Sequence, residues 1–341
     1  MRQLVTIAPG QLEVRESPEP VPSLGEAVIT VEAVGLCGSD LNLFTGEHPY
    51  SWFPHVQGHE FSGRVVSLPT GYRGPIAIGQ RVAVEPLLMC GECLPCRRGR
   101  GNCCLRMRTY GTQIDGGLTE RIAVKADLLY DAEGLTAELA ALVEPMSIGL
   151  HAVARAAVEP TDTVVVYGAG PIGQAILLAL IDLGAPVMVI DRVSSRLDLA
   201  LALGATKVAD VSEGSVDEAI AAWTGGDGPT VVFEATGVPA VLEEAMRVVA
   251  SSGTVAVVGL SRQSVSVPMV EFTRKELTVV GSRNNMGQFG DAVDLVRRRR
   301  DQVQRLISHR FPLEGGQEAF ALAHSSPQTT EKIIIEVAAA T

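Results

Sequence analysis

Two patterns of apolar and polar positions divide this chain. From about residue 160, short β-branched runs alternate with helical segments, the pattern of a parallel sheet covered on both faces. The runs 163–167, 187–190, 207–209, 230–233, 254–258 and 277–280 predict six strands, enough for a doubly wound nucleotide-binding domain. Helices fit between them at 171–183, 194–203, 216–223 and 240–249, with Gly184 and Gly204 as terminators. The first 150 residues are rich in Gly and Pro, with short alternating strands at 27–34 and 63–68, and predict an irregular, mostly β domain. After Gly281, a helix over 288–308 and a last strand over 332–337 are expected to return to that domain. The expected division is therefore 1–150, 151–281 and 282–341.

Composition agrees with a globular, two-domain chain: 341 residues, 46% of them hydrophobic and 20% charged. A net charge of −11 opposes broad attraction to nucleic acid or anionic lipid, so neither is expected as a partner. The apolar stretch 163–190 is too often interrupted, by Gly168, Gly170, Pro171, Gly173, Asp182, Gly184 and Pro186, to predict a membrane span. Residues 1–10 lack an apolar signal-peptide core, and a cytoplasmic location is expected.

Cysteine spacing supplies the first chemistry. Cys90, Cys93, Cys96 and Cys104 are close enough in sequence to surround one tetrahedral Zn²⁺ with no position left open, which defines a structural site. Arg97, Arg98, Arg100, Arg106 and Arg108 flank it and read as partial compensation for the charge of four thiolates. Cys103 is left over and reads as a small thiol beside the lobe. The arginine run 297–300 reads as a solvated helix stretch.

A second site follows from the run Gly168-Ala169-Gly170-Pro171-Ile172-Gly173, set between a strand and a helix. Gly168 permits the tight turn, Gly170 lets the backbone approach a pyrophosphate, and Gly173 allows close helix packing. The helix N-terminus beginning at Pro171 and Ile172 offers N–H groups to the phosphates. Asp191 ends the second strand where its carboxylate accepts from both adenosine ribose hydroxyls and repels a 2′-phosphate, so it is read as a ribose ligand rather than a turn-capping carboxylate. NAD is expected over NADP, although Arg192 and Arg196 stand near enough in sequence to accommodate a phosphate.

A third constellation has an open corner. Cys37 supplies a thiolate and His59 an imidazole, and a carboxylate from Glu60 or Glu144 completes three protein ligands for a catalytic zinc, leaving a fourth position for water or substrate. One carboxylate leaves the zinc site formally neutral whereas two leave it negative, so one glutamate is expected to bind at a time.

Taken in order, Cys37-Gly38-Ser39-Asp40, Gly58-His59-Glu60, the four-cysteine lobe, Glu144-Pro145 and the glycine fingerprint resemble the zinc-dependent medium-chain alcohol and polyol dehydrogenases. The resemblance covers the whole chain and points to the sorbitol, idonate and galactonate type. It implies an α/β fold class, a Rossmann doubly wound sheet plus a GroES-like, mostly β catalytic domain, with the active site in the cleft between them. It also implies a homotetramer or homodimer acting on a polyol, sugar or sugar acid. The polyol enzymes suggest Glu60 as third ligand with Glu144 bonded to the zinc water, while a threonine-dehydrogenase-like arrangement favours Glu144.

Ser39 is the expected first proton acceptor from the substrate, and Asp40 is expected to orient His59. One position departs from the pattern. Many relatives carry a histidine where this chain has Asn42, so either His48 substitutes in the proton relay or protons leave through the zinc water and Glu144. Arg283, in Gly281-Ser282-Arg283-Asn284, is a candidate to meet cofactor, substrate hydroxyls or a sugar-acid carboxylate, or else to pair with a carboxylate at the domain junction. Two other functions stay open: a threonine or vicinal-diol dehydrogenase, and a non-catalytic nucleotide-binding protein on the same fold.

Overall fold

The computed structural model describes residues 1–49 and 51–337, which fall into two compact units: 1–144 with 289–337, and Pro145–Gln288. In the first unit the main sheet runs Ile307–Pro312, Lys332–Glu336, Glu26–Gly35, Glu60–Ser67, Arg81–Val84, Leu129–Asp131, with Arg121–Lys125 also paired to Glu26–Gly35. Pairings are antiparallel except between Ile307–Pro312 and Lys332–Glu336. Glu26–Gly35 is central, and its Ile29, Val31 and Val34 join a core with Phe61, Val82, Phe320 and Ile335.

Register places the chemistry. Gly35 lies opposite Glu60 on one side and Ile334 on the other, so the end of Glu26–Gly35, the start of Glu60–Ser67 and the start of Lys332–Glu336 share one end of the sheet. Beyond Gly35 the chain turns into the helix Gly38–Thr45, whose N-cap is Cys37; Asp40 closes a capping box on it, and Gly46 (φ 80°) ends the helix in a left-handed turn.

The return segment differs from its expectation. The helix predicted over 288–308 is two pieces, Phe289–Arg298 and Arg300–Gln304, and Ile307 and Ser308 belong to a strand. The large apolar residues of that strand, Ile307 and Phe311, stand four apart, which continues the helical spacing before it and masks the change of structure. A further helix, Gly316–Ser325, packs Phe320 against Phe44 with ring centroids 5.2 Å apart.

The second unit holds six parallel strands in the order Lys207–Asp210, Val187–Asp191, Val164–Tyr167, Val231–Glu234, Thr254–Val257, Thr278–Gly281. In order of appearance this is 3-2-1-4-5-6, the doubly wound arrangement that binds dinucleotides where the strand order reverses. Val164–Tyr167 and Val231–Glu234 are buried throughout, which is why they read as unbroken apolar runs. One stretch among the described residues, Ala137–Ala156, matches a bilayer span in length and composition; it is mostly buried inside the protein, as core helices are.

Candidate active site and metal centres

The cysteine lobe has the dimensions of a tetrahedral metal cage. The sulfurs of Cys90, Cys93, Cys96 and Cys104 all lie within 4.8 Å of one another, with Cys93–Cys96 at 3.4 Å, Cys93–Cys104 at 3.8 Å and Cys90–Cys96 at 3.9 Å. Four sulfurs about 2.3 Å from a central zinc would be separated by roughly 3.8 Å. Backbone N–H groups already point at them: Cys93 N–H donates to Cys90 Sγ at 3.4 Å, and Arg106 N–H to Cys104 Sγ at 3.3 Å. Bonds from the Glu92 and Cys93 backbone push the Cys90 thiol down to about 6, whereas burial and the neighbouring Cys93 push Cys96 up to about 12. The four cannot all ionise without a cation among them. Arg106, which also bonds Glu92 at 2.8 Å, stands close enough to Cys90 to compensate its charge. Cys103 lies outside the cluster, beside a shallow pocket with Leu94, Pro95, Arg98 and Arg100.

The second cluster is built at the shared end of the sheet described above. Gly58, at φ 94°, presents His59; a Cβ on it would meet Val34 Cγ1 at 2.7 Å. Ligand atoms of Cys37, His59 and Glu60 lie within 4.8 Å of one another. His59 Nδ1 faces Asp40 Oδ1 at 3.4 Å, which leaves Nε2, 3.5 Å from Ser39 Oγ, as the nitrogen for another ligand. Asp40 is fully buried; its Oδ2 accepts the Cys37 N–H at 2.9 Å and its carbonyl oxygen accepts from Gln57 Nε2 at 2.7 Å. Burial opposes charge on both members of the Asp40–His59 pair, but their mutual attraction outweighs it: Asp40 is held below, and His59 well above, its ordinary value. A thiolate, an imidazole oriented by a carboxylate and a buried carboxylate form a donor set that suits zinc.

Glu144, in the first turn of Val143–Ala156, is buried and outside the compact three-ligand set but within its field. Burial first, then repulsion from Glu60, push its carboxyl up to about 7 against the pull of His59. His48 is half-buried in the turn after Gly38–Thr45, its N–H bonded to the Asn42 carbonyl oxygen at 2.9 Å. Asn42 is exposed and shares a surface pocket with Glu47 and His324.

Sequence reasoning missed Lys332. Its side chain is 2% exposed, and its ammonium pairs with Glu60 Oε1. The available signal was a lysine opening a predicted strand, which ordinarily marks a surface position.

In the second unit, Gly168 takes φ 97°, and a Cβ on Gly173 would fall 1.8 Å from the Gly168 carbonyl oxygen. A Cβ on Gly170 would meet only Arg196 Nη1, at 3.7 Å, so the strand-to-helix turn keeps a cradle that a side chain would fill. Gly170 caps Pro171–Leu183 without a side-chain bond, which leaves Ile172 in a first turn suited to an anion. Asp191 does cap the turn, contrary to the exclusive reading above: Oδ2 accepts from Ala169 N–H at 2.6 Å, and Oδ1 from Arg192 and Val193 N–H at 2.7 and 2.9 Å. A carboxylate offers about four lone-pair sites, so capping does not exhaust it. Arg192 is exposed and Arg196 half-buried. Arg283 is exposed on the turn after Thr278–Gly281, beside Asn284 at φ 50°.

A doubly wound nucleotide fold, a four-thiolate lobe and an open three-ligand cluster together define a zinc-type dehydrogenase. Comparison with known proteins agrees: the "Alcohol dehydrogenase GroES-like domain" model matches residues 23–134 and the "Zinc-binding dehydrogenase" model residues 171–298. The chain belongs to this zinc-binding alcohol dehydrogenase family, with a GroES-like domain joined to a Rossmann-like one. It is 34% identical over 321 residues to an L-galactonate-5-dehydrogenase of Escherichia coli K12, covering 92% of each chain. It is 30% identical to a sorbitol dehydrogenase of Bacillus subtilis, covering 95% of this chain and 94% of that one. A solved structure described as a short chain alcohol dehydrogenase (rspB) from Escherichia coli CFT073, complexed with NADH, superposes with a TM-score of 0.91 at 30% identity, covering 98% of this chain and 99% of that one.

Proposed function

We propose that this chain oxidises a secondary hydroxyl of a polyol, sugar or sugar acid and passes the hydride to NAD. The observation that carries the reading is the Cys37, His59 and Glu60 cluster, with His59 oriented by Asp40, on a chain that also carries the Gly168–Gly173 turn. The similarity to an L-galactonate and a sorbitol dehydrogenase supports the substrate class. In this reading residues 1–150 and 282–341 serve catalysis, and 151–281 bind the nucleotide. Zinc held by Cys37, His59 and Glu60 supplies a Lewis acid that acidifies a hydroxyl. Ser39 takes the substrate proton, and Glu144 or His48 passes it on. Asp191 holds the adenosine ribose. A second zinc held by Cys90, Cys93, Cys96 and Cys104 fixes the lobe.

A panel of polyols, aldonates, threonine, vicinal diols and short alcohols, each assayed with NAD and NADP, tests the reading. The highest kcat/KM is expected for a polyol or aldonate with NAD; a preference for threonine or a vicinal diol replaces the substrate, and no turnover with one zinc per chain supports a non-catalytic binder.

The assembly is read as a homodimer or homotetramer. Among the described residues Thr278–Gly281 ends its sheet, with only Thr254–Val257 paired to it, and Val279, Leu260, Met269, Val270 and Phe272 are exposed in the same unit. Light scattering on the purified chain tests this, and a monomer at micromolar concentration refutes it. Five of the six cysteines are read as metal ligands rather than disulfide partners, which supports a cytoplasmic location; fractionation of the source cells tests it.

A further inference from the structure

Lys332 opens a strand whose next three residues, Ile333, Ile334 and Ile335, are buried aliphatics, and it is itself buried with a full charge. An ammonium there is unfavourable unless it meets an opposite charge in good geometry. Its Nζ donates to Glu60 Oε1 and, at 3.3 Å, to the Leu36 carbonyl oxygen. Glu60 is fully buried, and its other oxygen, Oε2, has no hydrogen-bond partner among the described residues. Room for Oε2 comes from Gly35, where a Cβ would fall 2.3 Å from it. One oxygen of the carboxylate is thus committed to a cation, and the other is kept bare beside Cys37 and His59.

We propose that Lys332 is a positioning residue that, through Glu60, limits the carboxylate offered to the metal to the single oxygen Oε2. The inference rests on the reading of Cys37, His59 and Glu60 as zinc ligands. A carboxylate with both oxygens free can chelate and fill the corner an alcohol needs; with Oε1 tied, Glu60 is a one-oxygen donor that can be exchanged.

The experiment exchanges the catalytic metal for Co²⁺ with the lobe zinc in place, and compares Lys332→Met and Lys332→Arg with the parent chain by visible absorption and by the rate of metal loss to a chelator. In Lys332→Met, both Glu60 oxygens turn to the metal. The d–d bands weaken toward the five-coordinate pattern, and metal is lost more slowly by about tenfold, the lower end of what such supporting contacts do to metal sites. In Lys332→Arg, a guanidinium fork engages both oxygens, so metal is lost about tenfold faster. Opposite directions separate this role from a structural one, since damage to the fold speeds metal loss in both variants. If Lys332→Met does not fold, judged by lobe zinc and circular dichroism, Lys332→Leu takes its place with the same slower loss required of it, and faster loss in both the apolar and the Arg variant overturns the proposal. Variants that hold two metals and match the parent spectrum and loss rate overturn the proposal alone; a parent chain that takes up metal only in the cysteine lobe overturns the site reading and the proposal with it.

Discussion

Asp40 Oδ1 lies 3.4 Å from His59 Nδ1, inside a carboxylate whose second oxygen accepts the Cys37 N–H at 2.9 Å. One buried side chain therefore orients two members of the candidate zinc set, the imidazole directly and the thiolate through its backbone. Replacing it by Ala leaves His59 without its partner and Cys37 without its cap. Asp40→Ala is expected to weaken catalytic metal binding by about 10- to 100-fold. Metal analysis after gel filtration checks this: zinc should fall toward one per chain, with the lobe still filled.

Gly35 is the second sensitive point, for steric reasons alone. A methyl group there falls 2.3 Å from Glu60 Oε2, and its strand neighbours on both sides are fixed by register with Glu60 and Ile334. Gly35→Ala is expected to push Glu60 off its position, lower kcat/KM and cost about 1–3 kcal/mol of stability, the usual range for overpacking. Steady-state kinetics and urea unfolding measure the two effects separately.

Cofactor choice should turn on Asp191. Its three backbone N–H bonds hold the turn after the second strand of the nucleotide sheet, and its charge disfavours a 2′-phosphate. Asp191→Asn keeps one acceptor oxygen and removes the charge. The ratio of kcat/KM for NAD to that for NADP is expected to fall by roughly tenfold or more, equivalent to about 1.4 kcal/mol. An unchanged ratio in a folded variant removes Asp191 from cofactor selection.

Much of this arrangement was legible because the chemistry and the fold share short segments. The turn at Gly168 and Gly173 lies between a strand and a helix whose apolar runs are continuous, since both faces of the sheet are covered. Cys90, Cys93 and Cys96 are near neighbours in one loop, so their spacing alone brings the sulfurs together. Lys332 was not legible, because its partner Glu60 is 272 residues away and only the return strand brings them into contact. The strand Ile307–Pro312 was hidden for a related reason: it pairs with Lys332–Glu336 across an intervening helix, and its Ile307 and Phe311 keep the four-residue spacing of the helix before it. Asp191 was placed at the right turn but given one role where the structure gives it a capping role as well.

Acid should strip the lobe. Backbone N–H groups from Glu92 and Cys93 hold the Cys90 thiol down to about 6, so near neutrality it is already a thiolate and ready for metal. As pH falls through that value a proton competes for the sulfur, while Cys96, pushed up to about 12, offers no thiolate of its own without a cation. Zinc release from the lobe is therefore expected to rise steeply below about pH 6, and removing the metal should unfold the loop, since ligand binding and folding are coupled in such sites. A colorimetric zinc assay across pH 4–8 on Asp40→Ala, which leaves the lobe zinc alone, reads this directly.

Glu138 and Arg310 give a pH-dependent contribution that involves none of the candidate metal ligands. The Arg310 guanidinium pairs with Glu138 across the helix Ala137–Ala141 and the strand Ile307–Pro312, and this bond first of all holds the Glu138 carboxyl below its ordinary 4.5. A carboxyl lowered by folding stabilises the native state above its unfolded pKa, and that stability is lost as pH falls through the lower folded value. Both groups are partly exposed, so the contribution is at the surface scale, about 0.5–1 kcal/mol. Glu138→Gln is therefore expected to lower the unfolding midpoint by a few degrees at most at pH 7, with the difference from the parent chain shrinking as pH falls below 4.5. Thermal unfolding of both proteins at pH 7, 5 and 3.5 checks it: a gap that stays constant across that series removes the ion pair from the account.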